Sequence, residues 1–315
     1  MPRSLYIPRQ VLDAIAEHME SATDRAVSGF WSAQEDEDTV TGALGESLRT
    51  GAHTVYVEND EVNGPWKWSI DYAKFRGRGG KATESFLGAD GIIELTLDFG
   101  YRKDSKALLF QSKMDWQHDI GLLKQAALMS TWREASIFIN YTPSEYYAYS
   151  VDSVLASKGV EKEARDRLTL KAALTQYFLR CRVGNMDLRY DARERRLTWR
   201  EASGAIVATQ FSIPHRIRVE IQSPTFKQKA HYEKLVPADQ IHNHRMQAEP
   251  EEILMPLLSD STEPAERRRR SLAMTYHPDR YSEADQFLRE LITRRMQEIN
   301  AAYDEVQVPG TKPKG

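Results

Sequence analysis

Between residues 91 and 141 the chain runs through two apolar strand patterns, a helical pattern and a third strand, an order that restricts it to a mixed α/β fold. The strands fall at 91–99, 106–113 and 135–141; the helix, at 120–131, carries Leu122, Leu123, Ala126 and Met129 at helical spacing. Upstream, Val11, Ile15 and Met19 share one helical face, and 41–48 reads as a short helix. Residues 55–57 and 66–72 alternate as strands around an Asn63-Gly64-Pro65 turn. Downstream, 160–180 is patterned as a helix, and 186–190, 195–200, 206–213 and 216–221 as the short strands of a small antiparallel extension. Weak periodicity from Ser223-Pro224 to Pro250 marks a linker or packed loop. Two final helical patterns, 265–276 and 287–306, are separated by His277-Pro278-Asp279.

The formal net charge is −3, so any affinity for nucleic acid must come from local patches and not from bulk charge. The single cysteine, Cys181, excludes an intrachain disulfide, fits a reducing compartment and is expected to behave as a small buried hydrophobe. No apolar run approaches the ~20 residues that span a bilayer, and MPRSLYIPRQ lacks the apolar core of a signal peptide. A cytoplasmic location without membrane partners is expected. His231, His242 and His244 lack zinc-site spacing and read as surface histidines. Trp66, Trp68, Tyr72, Tyr146, Tyr147 and Tyr149 read as packing residues, and the acidic run 35–38 as a solvated loop.

Asp90 opens the strand at 91–99, and Lys113 closes the next one, with Gln111 two residues earlier on the same face. A nuclease needs such a set, since a hard cation must be held by oxygen ligands while a positive group orients water and offsets phosphoryl charge. The residues resemble the PD-(D/E)xK restriction-endonuclease-like superfamily, most closely its Mrr-like branch with a Gln-x-Lys half-motif, over roughly 41–149. The resemblance implies that Asp90 is the principal metal ligand, Gln111 a weaker one through its carbonyl oxygen, and Lys113 the water-orienting group. It also implies that Glu46 is the acidic residue of the first core helix. Gln125 matches a glutamine that some relatives hold near the site, though Met129 stands where a tyrosine usually follows. Glu94 and Asp98 share strand parity with Asp90 and are accessory ligands in reserve. The segment FRGRGGK at 75–81 offers Arg76, Arg78 and Lys81, which suit DNA phosphates and water equally well.

Leu272, Ala273, Met274 and Tyr276 run into His277, and Met296, Ile299, Tyr303 and Val306 follow at helical spacing after Pro278. Residues 250–306 resemble a J-domain, which implies a helical hairpin presenting His277, Pro278 and Asp279 to a DnaK-type chaperone, with Arg267, Arg268, Arg269 and Arg270 as the basic face. The same arginines would equally steer DNA. Arg268 and Arg269 stand where J-domains carry apolar residues, so the hairpin is expected to pack on the rest of the chain.

The expected architecture is therefore an α/β restriction-endonuclease-like mixed-sheet sandwich over 1–182, a small antiparallel β extension and linker over 183–249, a J-like helical hairpin over 250–306 and a flexible tail over 307–315. The expected function is that of a Mg2+- or Mn2+-dependent DNA endonuclease, suited to a defence or restriction role and able to act as a homo-oligomer. The alternative is a co-chaperone or assembly subunit that binds nucleic acid without cutting it, since Gln111 neutralises less metal charge than an acid.

Overall fold

The computed structural model describes residues 5–58, 62–75, 87–100, 102–114, 116, 119, 121–224, 234–235, 238–243, 246, 248–255 and 263–307. The helices are α1 (Arg9–Ser28), α2 (Phe30–Ala33), α3 (Glu37–Leu48), α4 (Leu122–Met129), α5 (Val151–Ala156), α6 (Leu170–Ala172), α7 (Pro250–Leu254), α8 (Ala265–Thr275) and α9 (Gln286–Gln307). The strands are β1 (Thr50–Val57), β2 (Gly64–Lys74), β3 (Gly91–Asp98), β4 (Lys103–Lys113), β5 (Ser136–Tyr141), β6 (Tyr146–Ser150), β7 (Leu168–Thr169), β8 (Arg189–Asp191), β9 (Arg196–Arg200), β10 (Ile206–Gln210), β11 (His215–Gln222) and β12 (Lys234–Leu235).

An eight-stranded mixed sheet in the order β1-β2-β11-β3-β4-β5-β6-β7 forms the centre of this α/β fold. Its strands β3, β5 and β6 are buried almost throughout because both faces are covered. On β3 and β4, Ile93, Leu95, Leu108 and Phe110 face a core closed by α1 and α3, while Ile92, Ala107 and Leu109 face a second core closed by α4, α5, α8 and α9. Each such buried aliphatic side chain contributes about 1.5–3 kcal/mol relative to exposure. The apolar stripe of α1, Val11, Ile15 and Met19, is fully buried as its spacing requires.

Four sequence readings need correction, the first being His242, which is not a surface histidine but is buried with Nδ1 3.1 Å from the Thr131 hydroxyl. The strand at 216–221 does not stay with the small extension: β11 inserts between β2 and β3, antiparallel to the first and parallel to the second. The remaining β8, β9 and β10 form a second sheet, to which β12 adds in parallel. The helix over 160–180 shortens to α6 and a π-type turn at Ala173–Phe178, since Leu168–Thr169 pairs with β6 instead. The acidic run is the start of α3, where Asp36 caps the Thr39 N–H at 2.6 Å and Glu37 and Asp38 lie at the positive end of the helix dipole.

The helical pair α8 and α9 shares the second core through Leu272, Tyr276, Ile292 and Ile299. A buried ionic network fastens it further. Arg133, 1% exposed, donates to Asp152 Oδ2 at 2.6 Å and to the carbonyls of Ile253 and Met255 at 2.8 Å. The Tyr276 hydroxyl donates to Asp152 Oδ1 at 2.5 Å, and Arg295 of α9 pairs with Glu134 at 2.5 Å. Burial opposes charge on Arg133, yet Asp152 and Glu134 outweigh it and hold the guanidinium pKa above its ordinary value.

Candidate active site at the ends of β3 and β4

Two glycines allow Asp90 its position. Gly88 has φ +71°, and a Cβ there would come within 2.6 Å of the Gln125 carbonyl oxygen on α4. At Gly91 a Cβ would meet the Phe110 ring at 2.2 Å. Asp90 thus sits against β4, its N–H donated to Phe110 O at 2.9 Å and its side chain nearly buried. Its Oδ2 accepts from Gln111 Nε2 at 2.7 Å, the Ser112 N–H at 2.8 Å and Ser112 Oγ at 2.7 Å.

Gln111 Nε2 also approaches Ser112 O at 3.3 Å. With two acceptors on that side, the amide nitrogen must face Asp90, which leaves Gln111 Oε1 buried without a hydrogen-bond donor. Ser112 Oγ in turn accepts from Thr41 Oγ1 at 3.1 Å, and Thr41 meets the Tyr141 hydroxyl at 3.0 Å, so α3 is bonded to the Asp90 cluster.

Lys113, 7% exposed in its side chain, places Nζ 2.5 Å from Asp119 Oδ2 and 3.6 Å from Glu37 Oε2. Burial disfavours its charge, but Asp119, Glu37 and Asp90 outweigh this and raise its pKa, so it is an ammonium at neutral pH. Burial pushes the Glu37 pKa up despite Lys113 and the Met114 N–H. The pair therefore joins a fixed cation to a carboxylate more basic than usual.

A second polar cluster adjoins the first. His215, at the head of β11, donates its backbone N–H to Asp90 O at 3.1 Å. Its ring lies 2.8 Å from the Tyr72 hydroxyl through Nδ1 and 2.9 Å from Asp38 Oδ1 through Nε2, and Lys74 also binds Asp38. Burial holds the ring below its usual pKa although Asp38 pulls the other way. A neutral ring with these neighbours accepts from Tyr72 and donates to Asp38.

The structure thus brings Asp90, Gln111 and Lys113 together as the strand pattern implies. Glu46 is not among them: it is exposed and pairs with Arg49 at 3.2 Å. The acid that α3 supplies is Glu37. Its signal was present in the sequence, since Glu37 lies in phase with the buried Thr41, Leu44 and Leu48, whereas Glu46 falls off that stripe. Asp119, on the segment leading into α4, had no sequence signal. Glu94 is not a reserve ligand either, because it accepts the Tyr190 N–H at 2.8 Å and pairs with Arg216, tying the two sheets together. Asp98 caps the β3–β4 hairpin by accepting the Gly100 N–H at 2.6 Å and pairing with Lys103 at 2.8 Å. Gln125 lies on α4 against Gly88, with Oε1 buried and without a donor. Arg76, Arg78 and Lys81 lie outside the described residues.

Among the described residues no three His, Cys, Asp or Glu side chains group as a metal site. A cation here would depend on a mixed set of carboxylate and amide oxygens, and the donorless Gln111 Oε1 beside Asp90 fits that set.

In the hairpin, His277 and Asp279 are exposed at 53% and 89%, with the Asp279 N–H donated to His277 Nδ1 at 3.3 Å. Pro278 begins the short 3-10 turn Pro278–Tyr281. Arg280, itself exposed, donates to the carbonyls of Met274 and Ala156. Arg267 and Arg270 pair along α8 with Glu263 and Glu266, while Arg269 bonds Asn300 and covers the Tyr303 ring; Arg268 is half-buried. Of the arginine run, Arg267 and Arg270 thus have exposed carboxylate neighbours, whereas Arg269 meets only the Asn300 amide and the Tyr303 ring. No helix among the described residues is long and apolar enough to cross a membrane. Comparison with protein families, with curated proteins and with solved structures finds no match for this chain.

Proposed function

We propose that the chain is a metal-dependent DNA endonuclease of the restriction-endonuclease-like kind, acting with Mg2+ or Mn2+. The observation that carries the reading is Lys113, a buried cation flanked by Glu37 and Asp119 at the same end of β3 and β4 as the Asp90–Gln111 pair. Asp90 and Gln111 Oε1 would hold the ion, which when bound polarises the phosphoryl group and lowers the pKa of water. Lys113, fixed as an ammonium, cannot serve as a base; it orients the attacking water and offsets charge growing on phosphoryl oxygens. Glu37 Oε2 is the atom suited to take the water's proton, since burial has raised its basicity. A role in defence or restriction accords with such chemistry.

The test is incubation of the chain with plasmid DNA and Mg2+ or Mn2+, alongside Gln111→Glu. That variant would put a second carboxylate beside Asp90, where two anions cannot both ionise without a cation between them. It is expected to melt lower than wild type in EDTA, by about 1–3 kcal/mol, and to recover in Mg2+ with cleavage kept or raised. A melting curve indifferent to Mg2+ would remove Gln111 from the ligand set.

A second reading, a nucleic-acid-binding subunit that does not cut, is favoured by the engagement of Asp90 Oδ2 with three donors and of Lys113 with Asp119. DNA retention without cleavage would select it.

For the hairpin we propose docking of a DnaK-type ATPase on the exposed His277-Pro278-Asp279 turn. Asp279→Asn removes one surface charge at constant size. ATPase stimulation is expected to fall while melting temperature and DNA cleavage stay at wild-type values. Loss of cleavage with no ATPase effect would assign the turn to the nuclease.

A further inference from the structure

The sheet's two edges are unlike. β7 closes one edge with only two residues, Leu168–Thr169, too short to template another strand. β1 lies at the other edge with eight residues, Thr-Gly-Ala-His-Thr-Val-Tyr-Val, and among the described residues is paired on one side only, with β2. Not one of those residues carries a fixed charge, whereas the neighbouring β2 exposes Lys67 and Asp71. Gly51 through Thr54 are exposed, and Tyr56 is 75% exposed. The register shift between Thr50 and His53 is confined to the start of the strand, and from His53 to Val57 the pairing is regular. Natural edge strands are guarded by charge, proline, shortness or bulges. Over His53–Val57, β1 has none of these guards.

We propose that β1 is a dimerisation surface, pairing antiparallel with β1 of a second copy of this chain about a two-fold axis. In an antiparallel edge, alternate residues turn both N–H and C=O outward, and a strand related to itself by a two-fold axis meets these groups in matching register. An uncharged strand offers nothing to select a charged partner strand, while its own copy is matched in charge and length. The interface also closes on itself. With β7 too short to receive β1, head-to-tail growth from one edge of this sheet to the other is closed off and pairing stops at two copies.

The decisive variant is Thr54→Glu. Thr54 faces Lys67 across the β1–β2 ladder, so a glutamate there gains a cross-strand partner within the chain and the fold is kept. Across the two-fold axis the same change brings like charges together. Sedimentation equilibrium from nanomolar to high micromolar concentration is expected to show wild type passing from monomer to dimer and Thr54→Glu remaining monomeric with an unchanged melting temperature. Hydrogen exchange in the 50–57 segment of wild type should slow as concentration rises. A wild type that stays monomeric throughout, a dimer that persists in Thr54→Glu, or a dimer without added protection of β1 would each overturn the proposal.

Discussion

Lys113→Ala is expected to lower kcat/KM for magnesium-dependent DNA cleavage by about a thousandfold or more, corresponding to about 4 kcal/mol of lost transition-state stabilisation. The loss should fall on kcat, because the ammonium acts on charge that develops during reaction. Its raised pKa fixes the sign of any pH effect: the stabilising contribution of Lys113 is complete below its unfolded-state pKa and is lost only as pH rises through the higher folded-state value. Neutral-pH kinetics therefore compare a charged lysine with none. Asp90→Asn is the better companion than Asp90→Ala, since alanine would strand Gln111 Nε2, the Ser112 N–H and the Ser112 hydroxyl in a buried place. Gel-based cleavage kinetics with circular dichroism as a folding control provide the measurement. Wild-type rates for Lys113→Ala would end the assignment of this site as catalytic.

The second large effect is on stability. Arg133→Ala is expected to destabilise the protein by roughly 3–5 kcal/mol, the cost of leaving a buried ionic network without one partner. Asp152 would lose the guanidinium at 2.6 Å, and the carbonyls of Ile253 and Met255 would lose donors at 2.8 Å. Because those carbonyls end α7 and Tyr276 ends α8, the loss should appear as loosening of the hairpin as well as a lower urea midpoint. Tryptophan fluorescence and circular dichroism through a urea titration, with hydrogen exchange on 265–307, measure both. Arg133→Met combined with Asp152→Asn should recover part of the loss by removing the uncompensated charge. A midpoint equal to wild type for Arg133→Ala would show that the hairpin does not depend on Arg133.

Much of the central architecture was legible because periodicity is local. The alternation of β2, the apolar runs of β3, β4 and β5 and the stripe of α1 each record which faces are buried, and burial is what selects those residues. Asp90 and Lys113 could be read as neighbours for the same reason, a polar residue at the start of one buried strand and another at the end of the next. The second half of the extension was not legible. Arg216, Arg218 and Glu220 alternate with apolar residues as an edge strand would, yet Arg216 finds Glu94 and Arg218 finds Asp71 once β11 enters the sheet interior. A charge that looks like a solvent marker in sequence becomes a ladder partner in space.

By itself, then, the sequence determined the strand and helix periods, the apolar character of β3 and β4, and the strand ends on which Asp90, Gln111 and Lys113 stand. Only the tertiary structure decided that β11 separates β2 from β3, that Glu37 and Asp119 rather than Glu46 accompany Lys113, and that Asp152 is shared by Arg133 and by Tyr276 of the hairpin. The physical reason is one of range. Period and capping are set by neighbours within a few residues, whereas strand order and charge pairing are set by which distant groups share a buried place, where an unpaired charge costs several kcal/mol (about 3–5) and only its partner's position relieves it.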